Sequence, residues 1–200
     1  MFSKVWKKIQ QGDFSPIYLL VGTEHYFFDE TIRRIKESLN KDGETDILYF
    51  DLDEVPVKHV NKEADTIPFF TDRKLIIAKN ASFLKATEKG KEKIDHDLKA
   101  FESWVQHPSE TAITIFIAPY EKLDERKKVT KLMKEKALLL EAKPLEGNDL
   151  VVWVKSTVGN EQKVMTDEAV ARLIETVGQD LVQLQSEIHK MATYVGEQQE

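Results

Sequence analysis

The first residues that could do chemistry are Gly22-Thr23-Glu24-His25-Tyr26-Phe27-Phe28-Asp29, directly after the apolar run Ile17 to Val21. A glycine at this point, ahead of a helical pattern, is where a phosphate-binding loop would lie. Such a loop needs glycines so that backbone N–H groups can wrap the phosphates. It also needs a Lys for their charge and a Ser or Thr for magnesium, in the order G-x-x-x-x-G-K-[ST]. Here Gly22 is present, but Phe27 stands for the second glycine, Phe28 for the Lys and Asp29 for the hydroxyl. Glu24 and Asp29 add negative charge beside any triphosphate, so no nucleotide is expected. The acid that usually completes such a site is missing too, because Leu75-Ile76-Ile77 runs into Ala78-Lys79-Asn80. Two readings stay open: a degenerate phosphate site, or an α/β family that never had one.

Other candidates are weaker. Asp51, Asp53 and Glu54 follow a second apolar run, where open α/β sheets place sites. Paired acids there could bind magnesium or move protons, but a solvated turn explains them as well. His25, His59, His96, His107 and His189 show no metal-ligand spacing and read as surface or packing residues. No nucleophile signature is present. The segment 121–136 reads as a helix carrying Lys122, Arg126, Lys127, Lys128, Lys131, Lys134 and Lys136. Its interspersed acids make it a solvated face in preference to a DNA patch.

Thr66-Ile67-Pro68-Phe69-Phe70-Thr71-Asp72-Arg73 stands apart. Pro68 cannot continue a helix and biases Ile67 toward an extended conformation. Two adjacent phenylalanines in a short connection diverge, so both cannot easily enter one core. They are either core residues or an exposed hydrophobic wedge for a partner's pocket, where each would contribute about 2–3 kcal/mol on burial.

The elements that must position these residues are legible as apolar runs at 17–21, 47–50, 75–78, 112–118 and 137–140. Most are continuous, as in strands covered on both faces. Helical spacing separates them: Phe28, Ile32, Ile35 and Leu39 share a face, as do Ile94, Leu98, Phe101 and Val105. Alternating strands and helices predict a doubly wound α/β domain, with a parallel sheet and helices on both faces, over residues 1–142. Residues 143–200 hold no strand-like run and predict a bundle of three helices. The first covers Asn148 to Val158 and is closed by Gly159, the second starts at Thr166, and the third at Asp180.

The chain has 200 residues, a net charge of −6 and no cysteine. This excludes disulfides, thiolate metal sites and cysteine nucleophiles, and fits a reducing cytoplasm. Acidic balance argues against tight DNA binding by the chain alone. The residues Met1 to Lys8 read as a short amphipathic helix, not a signal peptide, and no apolar run is long enough to span a membrane. The polar end Glu197-Gln198-Gln199-Glu200 reads like a linker, with further chain expected beyond it.

Three segments together resemble the delta subunit of the bacterial clamp loader, part of DNA polymerase III. They are Pro16 to Gly22 with the acidic-aromatic helix start, Ile67 to Leu75, and the final helices with Gly178-Gln179-Asp180-Leu181. The resemblance implies an AAA+-like, P-loop-type domain over 1–142 without ATPase activity, a three-helix lid over 143–200, and a collar domain absent from this chain. It implies no cofactor, no metal and no intrinsic enzyme activity, with nucleotidyl transfer a property of the assembled polymerase only. The implied partners are the beta sliding clamp, the tau/gamma and delta-prime subunits, and primer-template DNA in the assembled complex. In that family two hydrophobic residues before the third strand insert into a pocket of the clamp. Phe69 and Phe70 occupy that place, with Ile67 and Pro68 beside them and the helix Val57 to Asp65 pressing on the ring. The rival readings are another inactive ATPase-like adaptor and an active nucleotide-binding enzyme. Delta-prime, recognised by zinc-binding cysteines, is disfavoured by a chain with none.

Overall fold

In the computed structural model, residues 2–40, 45–68, 71–86 and 94–196 are described. They form α1 (Phe2–Gln10), β1 (Ile17–Gly22), α2 (His25–Leu39), β2 (Ile47–Asp51), α3 (Val57–Asp65), β3 (Lys74–Lys79), α4 (Leu98–Gln106), β4 (Ala112–Ala118), α5 (Lys128–Lys136), β5 (Leu138–Ala142), α6 (Gly147–Asn160), α7 (Asp167–Val177) and α8 (Leu181–Val195). The chain divides into two compact units, Met1–Lys143 and Pro144–Glu200.

In the first unit the strands form one parallel sheet in the order β2-β3-β4-β1-β5. β1 lies inside it, with Leu19 opposite Phe116 on one side and Leu139 on the other. Such a strand needs apolar residues on both faces, which is why Ile17 to Val21 is an unbroken run. Ile17, Leu19, Val21, Ile76, Ala78, Ala112, Phe116 and Ala118 pack with Val57, Val60 and Ala64 of α3, Phe101 and Trp104 of α4, and Val129 and Met133 of α5. The alternate strand residues point to the other face, where α1 and α2 supply buried Ile9, Phe28, Ile32 and Ile35. β2 departs from the expected double cover: as an edge strand it is only half-buried, and Tyr49 is exposed.

α1 is fastened to α2 by Trp6, whose indole N–H donates to Thr31 Oγ1 at 2.9 Å and whose ring lies under the Arg34 guanidinium. Arg34 also holds Glu30, a buried carboxylate that Arg33 grips as well. Burial alone would push the Glu30 carboxyl up. The hydrogen bonds and charges of Arg33 and Arg34 outweigh it and hold the carboxyl below its ordinary value.

Three sequence expectations need correction. The helix read over 121–136 begins only at Lys128. Leu123 instead bridges Lys85, and Asp124 takes the Arg126 backbone N–H and guanidinium in a turn. Ile94 lies before α4, which starts at Leu98 with Asp97 accepting from Ala100 N–H. Gly159 does not close its helix: α6 continues to Asn160 and ends where Gln162 turns left-handed at φ 57°. There the Lys163 N–H reaches back to Val158 O. The later caps lie where the sequence puts them, Thr166 accepting from Ala169 N–H and Asp180 from Gln183 N–H. In the second unit α6, α7 and α8 bury Leu150, Val154 and Val158, Val170 and Leu173, and Leu181, Leu184 and Ile188.

Two outcomes follow for stability. Phe116→Ala, which removes a ring set edge-on to Phe101 and Trp104, is expected to cost about 3–5 kcal/mol in urea unfolding. A loss below about 1 kcal/mol would contradict this packing. Glu30 has a depressed folded pKa, so its contribution is present above about pH 4.3 and lost as pH falls through the folded value. Glu30→Gln is therefore expected to flatten the acid limb of stability against pH, and an unchanged limb would contradict the depressed value.

Candidate functional site

β1 ends at Gly22 with φ 128°, and a Cβ there would stand 2.0 Å from the Ala142 carbonyl oxygen of β5. Only glycine allows that approach. The same oxygen accepts the N–H groups of Thr23 at 3.0 Å and Glu24 at 3.1 Å. Glu24 caps α2, its carboxylate accepting from Tyr26 N–H at 3.2 Å, and the Phe27 N–H turns to Glu24 O. Thus the N–H groups of Thr23, Glu24, Tyr26 and Phe27, which could otherwise face an anion, already have acceptors, one of them a carboxylate. Two residues separate β1 from α2, too few for a loop around phosphates. Phe27 and Phe28 belong to α2 and are buried: Phe27 stacks on Phe2 with centroids 4.4 Å apart, and Phe28 meets the His25 ring edge-on. Asp29 is exposed.

The acids after β2 serve a turn. Asp51 Oδ1 accepts from Asn80 Nδ2 and from Asp53 N–H, both at 2.9 Å, and the Asp51 carbonyl takes the N–H groups of Glu54 and Val55. Asn80 holds its place after β3 in a left-handed conformation, φ 58°. The nearby Tyr120 hydroxyl is pushed up by burial first, then by the charges of Asp53 and Asp51. Among the described residues no group of three His, Asp or Glu is placed to hold a metal. His96 is buried, and its Nδ1 accepts the Val57 N–H at 3.1 Å. It caps α3 where Pro56 offers no side-chain acceptor. On the segment read as a basic helix, Arg126, Lys128 and Lys134 pair with Asp124, Glu102 and Glu125.

The remaining candidate lies at the opposite end of the sheet. All strands are parallel, so Gly22 and Asp51 mark the C-terminal edge and Lys74 the N-terminal edge. The chain reaches Lys74 from α3, which buries Val57, Val60 and Ala64 and stops at Asp65. Thr66 is already extended, at φ −78° and ψ 128°, while its N–H still donates to Glu63 O and its hydroxyl to Lys62 O. Ile67 follows with 73% of its surface exposed, and Pro68 is half-buried. Phe69 and Phe70 lie outside the described residues. The chain is described again from Thr71, whose hydroxyl donates to Arg73 O. The Arg73 guanidinium lies 5.9 Å from the Phe14 ring centroid.

Both feet of this tip are tied. The ammonium of Lys74, only 4% exposed, donates to Glu63 O at 2.8 Å. Asp65 Oδ1 accepts from Trp104 Nε1 at 3.0 Å. Reading the sequence alone did not reveal the bonds made by Lys74, Asp65 and Trp104, and took His96 as a surface or packing residue without its capping bond. A buried lysine opening a strand is the one hint available locally; the Asp65–Trp104 and Val57–His96 bonds each span 39 positions and leave no local trace.

Residues 18–143 match the family model described as DNA polymerase III, delta subunit. The DNA polymerase III subunit delta of Bacillus subtilis is 39% identical over 203 residues, covering 100% of this chain and 58% of that protein. A solved Bacillus subtilis DNA clamp loader delta protein has a TM-score of 0.88 at 37% identity, covering 100% of this chain and 59% of its own. A gamma subunit-related protein of DNA polymerase III from Thermotoga maritima shares the fold alone, with a TM-score of 0.52 at 13% identity over 95% of this chain and 57% of its own. The chain thus spans less than two thirds of the length of these relatives. No helix of the described residues is long and apolar enough to cross a membrane.

Because Gly22 combines a positive φ with a backbone oxygen in the way, Gly22→Ala is expected to cost at least about 2 kcal/mol in urea unfolding. An unchanged midpoint would mean that β5 does not press on this turn.

Proposed function

We propose, because the chain belongs to the DNA polymerase III delta-subunit family, that it is the part of a clamp loader that grips the beta sliding clamp and helps open the ring, without binding ATP itself. The observation that carries this reading is an exposed apolar residue, Ile67, on a tip whose two feet are tied to the domain. Ile67, 73% exposed beside Pro68, offers a partner's pocket an apolar contact at the place the family reading requires. Phe69 and Phe70, two positions on, would extend the same hydrophobic wedge into a pocket of the clamp.

Opening requires differential affinity. A wedge that bound the closed and open rings equally would shift nothing; it must fit the relaxed or open ring better. ATP enters through other subunits, tau/gamma among them, with delta-prime completing the loader. The turn after β1 supports this division: its N–H groups are satisfied by Ala142 O and by Glu24, and Phe27 and Phe28 are turned inward. The net charge of −6 supports contact with primer-template DNA only inside the assembled complex. The chain would have no catalytic activity of its own and would work in the cytoplasm.

The test is calorimetry of this chain with the sliding clamp of the same organism, beside the Phe69→Ala/Phe70→Ala variant. Binding by the parent and a loss of at least about 2 kcal/mol in a still-folded variant are expected. A parent that ignores a folded clamp would sink the reading; an equally tight variant would keep the partner and remove these residues. A fluorescent ATP analogue is expected not to bind at micromolar concentration, and micromolar binding would favour the rival of an active nucleotide-binding enzyme.

A further inference from the structure

The two bonds at the feet of the tip have a role that their contribution to fold stability does not exhaust. Glu63 is in the last turn of α3, where carbonyls lack intrahelical donors. The Thr66 N–H reaches its oxygen at 3.2 Å, and the Lys74 ammonium reaches the same oxygen at 2.8 Å. Lys74 is the first residue of β3, the point at which the chain returns from the tip. One hydrogen bond therefore joins the entry of the loop to its exit. Lys74 is also fixed through its backbone, donating to Thr111 O at 3.0 Å. A cation suits this end of a helix, where the dipole is negative.

The second bond fixes where the helix end points. Asp65 is the last residue of α3, and Trp104 is on α4. The indole cannot drift: its ring stacks on Phe101 with centroids 6.0 Å apart and meets Phe116 edge-on at 6.3 Å. Asp65 is on the exposed side of α3, so its bond is not needed to satisfy a buried acceptor. An exposed carboxylate would be equally well served by water, and the geometry instead commits it to one direction.

We propose that Lys74, Asp65 and Trp104 are positioning residues for recognition: they hold the end of α3 and the start of β3 so that Ile67 meets a partner's pocket already aimed. The inference rests on the clamp-binding reading above and names residues that act through the tip without touching the partner. Its physical basis is preorganisation. Ordering a loop on binding lowers affinity, and a loop whose ends are fixed beforehand avoids part of that cost.

The experiment measures binding of the chain to the sliding clamp by surface kinetics, with urea midpoints taken in parallel. Asp65→Ala and Lys74→Met are each expected to weaken binding about five- to tenfold, with midpoints close to the parent for Asp65→Ala. Asp65→Asn keeps an oxygen for the indole and is expected to bind within about twofold of the parent. Trp104→Phe keeps an aromatic ring but removes the donor, so it should reproduce the binding loss of Asp65→Ala, with a lower urea midpoint because the smaller ring leaves space in the core. Amide exchange at Thr66, whose N–H donates to Glu63 O, is expected to quicken in Lys74→Met. If Asp65→Ala and Trp104→Phe bind like the parent while the parent binds well, positioning is overturned and the clamp reading survives. If Asp65→Asn is as weak as Asp65→Ala, the carboxylate acts by charge and positioning is again overturned. If the parent does not bind the clamp, the functional reading fails and this inference with it.

Discussion

The Ala142 carbonyl, wedged against Gly22 and accepting from both Thr23 and Glu24, is the contact on which the character of this α/β domain depends. In a parallel sheet the strand C-termini open onto helix N-termini, and that edge ordinarily receives ligands. Here β5 closes it at β1. The N–H groups of Thr23, Glu24, Tyr26 and Phe27 are matched within the protein, and Glu24 adds a carboxylate at the helix start. The aromatic residues that follow are then free to serve packing, with Phe27 against Phe2 and Phe28 against His25.

With that edge closed, the one connection among the described residues that carries an exposed apolar residue and a proline between fixed supports is at the other edge, before β3. Its support is local and polar. His96 caps the start of α3, and Trp104 and Lys74 hold its end. Three buried residues, Val57, Val60 and Ala64, hold the helix body. A short helix of nine residues has little stability alone, so these tertiary bonds are what make it a platform.

Much of this was legible in the sequence because the sheet is covered on both faces. An interior strand such as β1 or β4 must be apolar at nearly every position, and Ile17 to Val21 and Ala112 to Ala118, broken only by Thr114, announce themselves. Thr166 and Asp180 were equally plain, since a cap bonds to a neighbour three residues on. The misreadings came where tertiary contacts overrode local preference. The charges at 121–127 suit a helix, but Leu123 is drawn into a bridge with Lys85 and Asp124 into a turn. Gly159 looks like a helix stop, yet Gln162 takes the left-handed position instead. The loss of a phosphate loop could be read from Phe27, Phe28 and Asp29, but its physical replacement by Ala142 O could not. That contact joins residues about 120 positions apart.

Surface exposure of Ile67 bears on how such a tip can work. Burying a side chain of this size contributes about 1.5–3 kcal/mol, which by itself does not hold two proteins together against the cost of association. Adding apolar neighbours raises the gain, but it also raises the penalty of leaving them in water before the partner arrives. Fixed ends resolve this conflict differently, because they lower the ordering cost of each contact made. On the clamp-binding reading, the ties at Glu63 and Asp65 are therefore as much part of the recognition element as Ile67 itself.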